Sequence, residues 1–188
     1  IMTAKDAQLP VLTIQDKPAF GYRGLMLDCA RHFWTVDELK ETLDHMAFFK
    51  LNTLHMHLTD NQAWRLSMDK YPDLVKEGTY YYDFPELSGK YYSKEDLKEI
   101  VTYAGTRGIE IIPEVDLPGH SIALLAALPE LSCRGGKFEA TPEERDWNKR
   151  KRGNENMICI GNPQSFAFAE DVICLLYTSP SPRDVEES

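Results

Sequence analysis

The chain has 188 residues, which is enough to bury one sizeable hydrophobic core. Its 21 basic and 30 acidic side chains give a formal net charge of −9, which argues against nucleic acid as a partner because an acidic surface repels phosphate backbones. It contains no run of 18 apolar residues, so the sequence predicts no membrane span.

The first predicted elements are a strand and a helix, which follow an approach segment of residues 1–20. Residues 23–30 are mostly apolar and end in polar side chains, as in a buried strand. Thr35 and Glu38 then form a capping box, in which each side chain can bond the backbone of the other residue. Apolar side chains recur after it at helical spacing, at Leu39, Leu43, Met46 and Ala47.

A second strand and a second helix follow. In residues 52–58 the apolar side chains share one face of the predicted strand, and His55 and His57 share the other. A long polar and aromatic loop covers residues 59–92. Ser93 then opens a second capping signal. The helix predicted after it has an apolar face made of Leu97, Ile100, Val101 and Ala104.

The third strand covers residues 109–115, and a last helix follows a polar loop at 132–157. Asn162 caps this helix and Pro163 suits its first position. Strands that alternate with amphipathic helices predict an α/β fold with a parallel sheet. A barrel and a doubly wound sheet both fit, but the first strand lacks the G-x-G-x-x-G motif of a nucleotide-binding sheet.

The helical pattern fails after Ile173. Pro180 and Pro182 cannot continue a helix, and no fourth strand follows. Residues 174–188 resemble the conceptual translation of a common sequencing-library adapter, and we interpret them in this way. A natural terminus rich in proline and serine is the alternative.

The four cysteines fit no zinc motif. Cys133 and Cys159 flank a polar segment that a disulfide could close. Free buried thiols are an equal alternative, so the sequence leaves the redox compartment open.

Polar clusters follow the ends of all three predicted strands, which is where functional groups gather in parallel β/α folds. The clusters are Asp28, Arg31 and His32; then Thr59–Gln62 with Trp64 and Arg65; then Glu114, Asp116 and His120. We expect Asp60, Asp116 and His120 to meet, because a carboxylate beside an imidazole fixes its tautomer and raises its pKa. Arg23 stands at the beginning of the first strand, and by position alone it is structural.

His55 and His57 allow a rival interpretation. A His-x-His pair on one strand face can bind zinc, as in metal-dependent barrel hydrolases. Such a site needs further ligands, and the chain has only five histidines. The sequence therefore favours packed, hydrogen-bonded histidines and predicts no metal.

Three long segments resemble the family 20 glycoside hydrolases. The first is Gly21–Asp28 (GYRGLMLD) with Arg31–Phe33, and the second is Lys50–Gln62 (KLNTLHMHLTDNQ), which Trp64 and Arg65 follow. The third is Glu110–His120 (EIIPEVDLPGH). They occur in the family's order, and the resemblance covers about residues 10 to 173.

The resemblance implies a (β/α)₈ TIM barrel, of which residues 21–173 would be the N-terminal part, truncated after about three βα units. It implies a β-N-acetylhexosaminidase without a cofactor, and Arg23 as the residue that binds sugar hydroxyls. Asp60 and His120 match positions that support the sugar site. Asp116 and Glu114 lie in the same motif as His120, and Asp116 is expected to buttress it.

The resemblance also implies a substrate-assisted retaining mechanism, in which an adjacent Asp-Glu pair at the end of the fourth strand acts on the substrate. No matching pair is found, so no catalytic residue is retained and we expect this chain to be inactive. The implied partner is an N-acetylhexosamine-containing oligosaccharide or glycoconjugate, and the implied location is secreted or periplasmic. A metal-dependent hydrolase using His55 and His57 and a non-catalytic carbohydrate-binding fragment remain alternatives.

Overall fold

Three parallel strands form one sheet in a computed structural model, in the order β1-β2-β3. They are β1 (Gly24–Asp28), β2 (Thr53–His57) and β3 (Glu110–Glu114). All three predicted strands are confirmed, each a little shorter than its sequence pattern. The structure describes residues 11, 13–79, 88–134 and 157–178.

Helices alternate with these strands, which confirms the predicted α/β architecture with a parallel sheet. In chain order they are α1 (Val36–Phe48), α2 (Asp73–Lys76), α3 (Lys94–Gly105), α4 (Ile122–Ala127) and α5 (Pro163–Thr178), and a short 3-10 helix (Pro129–Leu131) precedes α5. Helices α2 and α4 were not predicted, and α2 lies within the segment 59–92 that the sequence predicts as a loop. Their four and six residues are too few to show a helical period.

Both predicted capping boxes are present. The Glu38 N–H donates to the Thr35 hydroxyl, and the Thr35 N–H donates to the Glu38 carboxylate at 2.7 Å. Ser93 and Asp96 exchange the same pair of bonds at the start of α3. These contacts satisfy N–H groups that have no partner inside the helix, so they fix where α1 and α3 begin.

The hydrophobic core lies where α1 and α3 cover one face of the sheet. Leu54 and Met56 of β2 are buried there. From the two helices the core receives Leu39, Leu43, Met46, Ile100 and Ala104. The apolar stripes predicted for α1 and α3 therefore face the sheet.

The register of the sheet aligns the ends of the three strands. Asp28 pairs with His57, and His57 pairs with Glu114. Because the strands are parallel, these three polar side chains and the loops that follow them share one edge of the sheet.

Cys133 and Cys159 form a disulfide, which resolves the alternative that the sequence left open. Next to it, the Cys159 N–H donates to the Leu131 carbonyl and the Ile158 N–H donates to the Pro118 carbonyl. The disulfide therefore ties the chain before α5 to the segment that follows β3.

Helix α5 continues five residues beyond Ile173, to Thr178. Residues 179–188 lie outside the described part, as does most of the approach segment. The interpretation of residues 174–188 as translated adapter stays a prediction. Among the described residues, no helix combines the length and the apolar character needed to cross a membrane.

Candidate active site

A buried carboxylate, Asp60, is the centre of a polar cluster at the shared edge of the sheet. Its side chain is 1% exposed. Oδ2 contacts His57 Nε2 at 3.0 Å and Arg31 Nη2 at 2.6 Å. Oδ1 contacts His120 Nδ1 at 2.9 Å and accepts the Asn61 N–H at 2.6 Å. The expected meeting of Asp60 and His120 is observed.

These contacts keep Asp60 ionised. Burial acts to raise the pKa of the Asp60 carboxyl, but hydrogen bonds from His57, the Asn61 N–H and His120, together with the charge of Arg31, lower it to about 2. An ionised carboxylate only accepts hydrogen bonds. His120 Nδ1 must therefore carry the proton in its contact with Asp60.

His57 lies between two carboxylates. Its Nε2 faces Asp60, and its Nδ1 lies 2.9 Å from Oε1 of Glu114. The hydrogen bond to Asp60 raises the pKa of His57 to about 9, with help from Glu114 and against the effect of burial. His55, two residues earlier, contacts the other Glu114 oxygen at 2.5 Å. The expected supporting residue Glu114 thus holds both histidines of β2.

Arg31 joins the buried cluster to solvent. Its two terminal nitrogens each lie 2.6 Å from a carboxylate, Asp28 on one side and Asp60 on the other, yet its side chain is 46% exposed. Asp28 also accepts the backbone N–H groups of Ala30 and Arg31 and so fixes the turn after β1. A guanidinium has five N–H donors, so donors remain for a ligand.

The structure does not bring Arg23 to this cluster. Its Nε donates to the Lys50 carbonyl and its Nη1 to the Phe20 carbonyl, both at 2.7 Å, at the beginning of β1. The five residues of β1, at about 3.3 Å each, place Arg23 roughly 16 Å from the opposite edge, where Asp60 lies. In this structure its guanidinium contacts are with backbone carbonyls, and sugar binding by Arg23 stays a prediction.

Asp116 also takes a place different from the expected one. Its backbone N–H donates to the Thr59 hydroxyl, and within the described ranges no hydrogen bond joins it to His120. Its carboxylate lies close to His57 and Asp60 instead. The group that buttresses His120 is Asp60.

His120 is held in an unusual backbone conformation. Its φ angle of 52° falls in the left-handed region, which costs a residue with a side chain roughly 1–2 kcal/mol. Its side chain is 40% exposed. The turn therefore presents the outer edge of the imidazole to solvent while Nδ1 contacts Asp60.

Arg65 supports the loop that carries Arg31. Its buried guanidinium donates to the carbonyls of Cys29 and Ala30 at 3.1 and 3.0 Å and to that of Lys90 at 2.7 Å. A buried cation needs such acceptors. The sequence places Arg31 and Arg65 after strand ends but does not indicate a role for either. The signal that could have found them is their position just after a strand.

The cluster could offer a metal three ligand atoms, which lie within 4.8 Å of one another on His57, Asp60 and Asp116. Both ring nitrogens of His57 are already engaged by carboxylates, Nε2 by Asp60 and Nδ1 by Glu114. Arg31 also supplies a positive charge 2.6 Å from Asp60. The arrangement favours hydrogen-bonded histidines over the zinc alternative.

The cluster predicts a pH dependence of stability. The pKa of His57 is raised from 6.5 to about 9, so its contribution is complete below pH 6.5 and is lost as the pH rises through 9. The pKa of Asp60 is lowered from 3.8 to about 2, so its contribution is complete above pH 3.8 and is lost as the pH falls through 2.

We therefore expect the free energy of unfolding to fall by about 1–3 kcal/mol between about pH 5 and pH 9, measured by urea denaturation. His57→Gln is the control and should flatten most of this alkaline loss. An equal loss in that variant would contradict the assignment.

Comparisons with known proteins agree with one another. Residues 20–179 match the model of the catalytic domain of glycosyl hydrolase family 20. The chain is 42% identical over 167 residues to a β-hexosaminidase of Porphyromonas gingivalis, covering 88% of this chain and 20% of that protein. It is 47% identical over 171 residues to a β-hexosaminidase of Akkermansia muciniphila, covering 87% and 33%.

A solved structure gives the same result. The N-acetyl-β-hexosaminidase of Streptomyces plicatus, in complex with Thio-NAglucal, superimposes with a TM-score of 0.76 at 36% identity. The match covers 88% of this chain and 32% of that one. The chain thus spans about a fifth to a third of the length of these relatives.

Proposed function

The chain belongs to glycosyl hydrolase family 20, and from this membership we propose that it forms part of an exo-acting enzyme that releases terminal β-linked N-acetylhexosamine. Its three strands would be the first three of a (β/α)₈ barrel, with residues 21–173 as the N-terminal part of the catalytic domain. The observation that carries the proposal is the cluster of Arg31, Asp60 and His120 at the carboxyl ends of parallel strands, where barrel enzymes bind their substrates.

Arg31 would bind the sugar hydroxyls in place of Arg23. Its guanidinium is oriented by two carboxylates and is partly exposed, whereas that of Arg23 is engaged by backbone carbonyls at the other edge. A planar guanidinium fork suits two vicinal hydroxyls. Asp60 would act indirectly, by holding Arg31 and His120, because its side chain is buried.

The mechanism would be retaining and substrate-assisted. The substrate's 2-acetamido oxygen attacks the anomeric carbon, an aspartate orients that acetamido group, and an adjacent glutamate acts first as acid and then as base. None of the described strands ends in such a pair. Asp37 and Glu38 lie in the first turn of α1, and Asp171 of α5 accepts hydrogen bonds from Lys70 and Tyr71. The 188-residue chain would therefore be inactive alone.

A chimera tests this function. Residues 20–178 would replace the matching segment of the Streptomyces plicatus enzyme, which supplies the rest of the catalytic domain. We expect the chimera to hydrolyse a chromogenic N-acetylglucosaminide and the 188-residue chain to show no turnover above buffer. Turnover by the chain alone, or a folded chimera without activity, would contradict the proposal.

The same chimera tests the choice of arginine. Arg31→Met should lower kcat/KM by roughly 10- to 150-fold, the effect of losing about 1.5–3 kcal/mol in charge-assisted hydrogen bonds. Arg23→Met is the matched variant and should change thermal stability with little change in kcat/KM. The reverse result would restore Arg23 as the sugar-binding residue.

A further inference from the structure

We propose that His57 is a positioning residue, an imidazolium held between Asp60 and Glu114 that fixes which oxygen of Asp60 faces His120. The two contacts measure 3.0 Å to Asp60 and 2.9 Å to Glu114. Its relevance to catalysis rests on the function proposed above, whereas the clamp itself rests on these contacts alone.

The position of His57 in the sheet makes the clamp possible. His57 is the last residue of the central strand β2, and the register places it beside Asp28 of β1 and Glu114 of β3. Its side chain is 6% exposed. With both ring nitrogens against carboxylates, it has little freedom to rotate, and both nitrogens can donate only in the protonated form.

The clamp divides the two oxygens of Asp60 between different partners. Oδ2 receives His57 and Arg31, which leaves Oδ1 for His120 and for the Asn61 N–H. A carboxylate bonded on both oxygens cannot rotate without breaking these bonds. His120 then donates its Nδ1–H to Oδ1, so its Nε2 is left to accept a hydrogen bond at the exposed edge.

The charges that face His57 come from all three strands and favour its protonated form. Asp28, Asp60 and Glu114 are carboxylates, and Asp116 lies close by. The nearby group of opposite sign is Arg31, which contacts Asp60. Two further imidazoles lie next to these carboxylates, His120 at Asp60 and His55 at Glu114. The raised pKa of His57, about 9, agrees with this excess of negative charge.

The experiment is a nitrogen-15 NMR titration of the histidines in the 188-residue chain, because imidazolium, Nδ1–H and Nε2–H forms give distinct long-range proton–nitrogen spectra. We expect His57 to keep both protons from pH 6.5 to about 8, roughly one pH unit below its pKa of about 9. We expect His120 to carry its proton on Nδ1 when neutral. A His57 with one protonated nitrogen in this range would overturn the proposal.

Two variants show whether His57 orients Asp60 or only stabilises the fold around it. In His57→Gln, which can still donate to Asp60 but carries no charge, the Nδ1–H to Nε2–H ratio of His120 should fall about tenfold. His55→Gln is the matched control, since His55 contacts Glu114 but not Asp60, and should leave that ratio unchanged. An unchanged ratio in His57→Gln would overturn the proposal.

A second variant remains informative if His57→Gln does not fold. Glu114→Gln removes one negative charge from the Nδ1 side while the contact with Asp60 stays. It should lower the pKa of His57, and an unchanged pKa would count against the clamp. Neither measurement needs sugar or turnover, so an inactive chimera would refute the hexosaminidase function without affecting this result.

Discussion

Asp60→Ala is expected to lower the free energy of unfolding by about 3–5 kcal/mol, the usual effect of removing one partner from a buried ion pair. Asp60 is the shared counter-charge of His57 and Arg31. Without it, His57 is left buried with Glu114 as its remaining contact partner. Urea denaturation at about pH 6 would measure the loss, because the stabilising contributions of His57 and Asp60 are both complete at that pH.

Asp44→Ala is the matched control. Asp44 also pairs with an arginine, Arg107, and accepts a hydrogen bond from Tyr103, but its side chain is half exposed. Exposed ion pairs contribute about 0–1 kcal/mol, so we expect a loss within that range. Equal effects of the two substitutions would show that burial of Asp60 does not organise the cluster.

The fold elements were predictable because their signals are local. The capping boxes at Thr35 and Ser93 mark helix starts within four residues, and alternating side chains mark the strand at 52–58. Helix α4 shows no such signal. The Cys133–Cys159 pairing depends on a distance across the fold, which the spacing of cysteines does not supply.

The site was predictable to the level of strand ends but not of side-chain partners. Parallel strands place their carboxyl ends at one edge, so Asp60 and His120 were expected together and are found together. The same rule places Arg23 at the amino end of β1, away from Asp60, whereas the family resemblance implies that it binds the sugar. Arg31 and the contacts of Asp116 depend on loop conformations and rotamers, which sequence spacing does not determine.

Arg65→Met is expected to lower the free energy of unfolding by about 3–5 kcal/mol, because the substitution leaves backbone carbonyls without their hydrogen-bond donor. Each buried carbonyl that loses its donor costs about 1–3 kcal/mol. Those carbonyls belong to Cys29, Ala30 and Lys90. Methionine retains much of the apolar stem, so the substitution tests the hydrogen bonds more than the packing. Thermal and urea unfolding would measure the change.

Arg107→Met is the matched control, because both guanidinium groups lie over an aromatic ring, Arg65 over Phe33 and Arg107 over Tyr103. Arg107, however, pairs with a carboxylate at the surface. We expect a loss of no more than about 1 kcal/mol there. Since Cys29 and Ala30 immediately precede Arg31, the Arg65 variant should also weaken the contact between Arg31 and Asp60. If so, the fall in the free energy of unfolding between about pH 5 and pH 9 should also be smaller in the Arg65→Met chain, because the anchored loop and the buried charges form one structural unit. A folded Arg65→Met chain of wild-type stability would mean that the loop is held by other contacts.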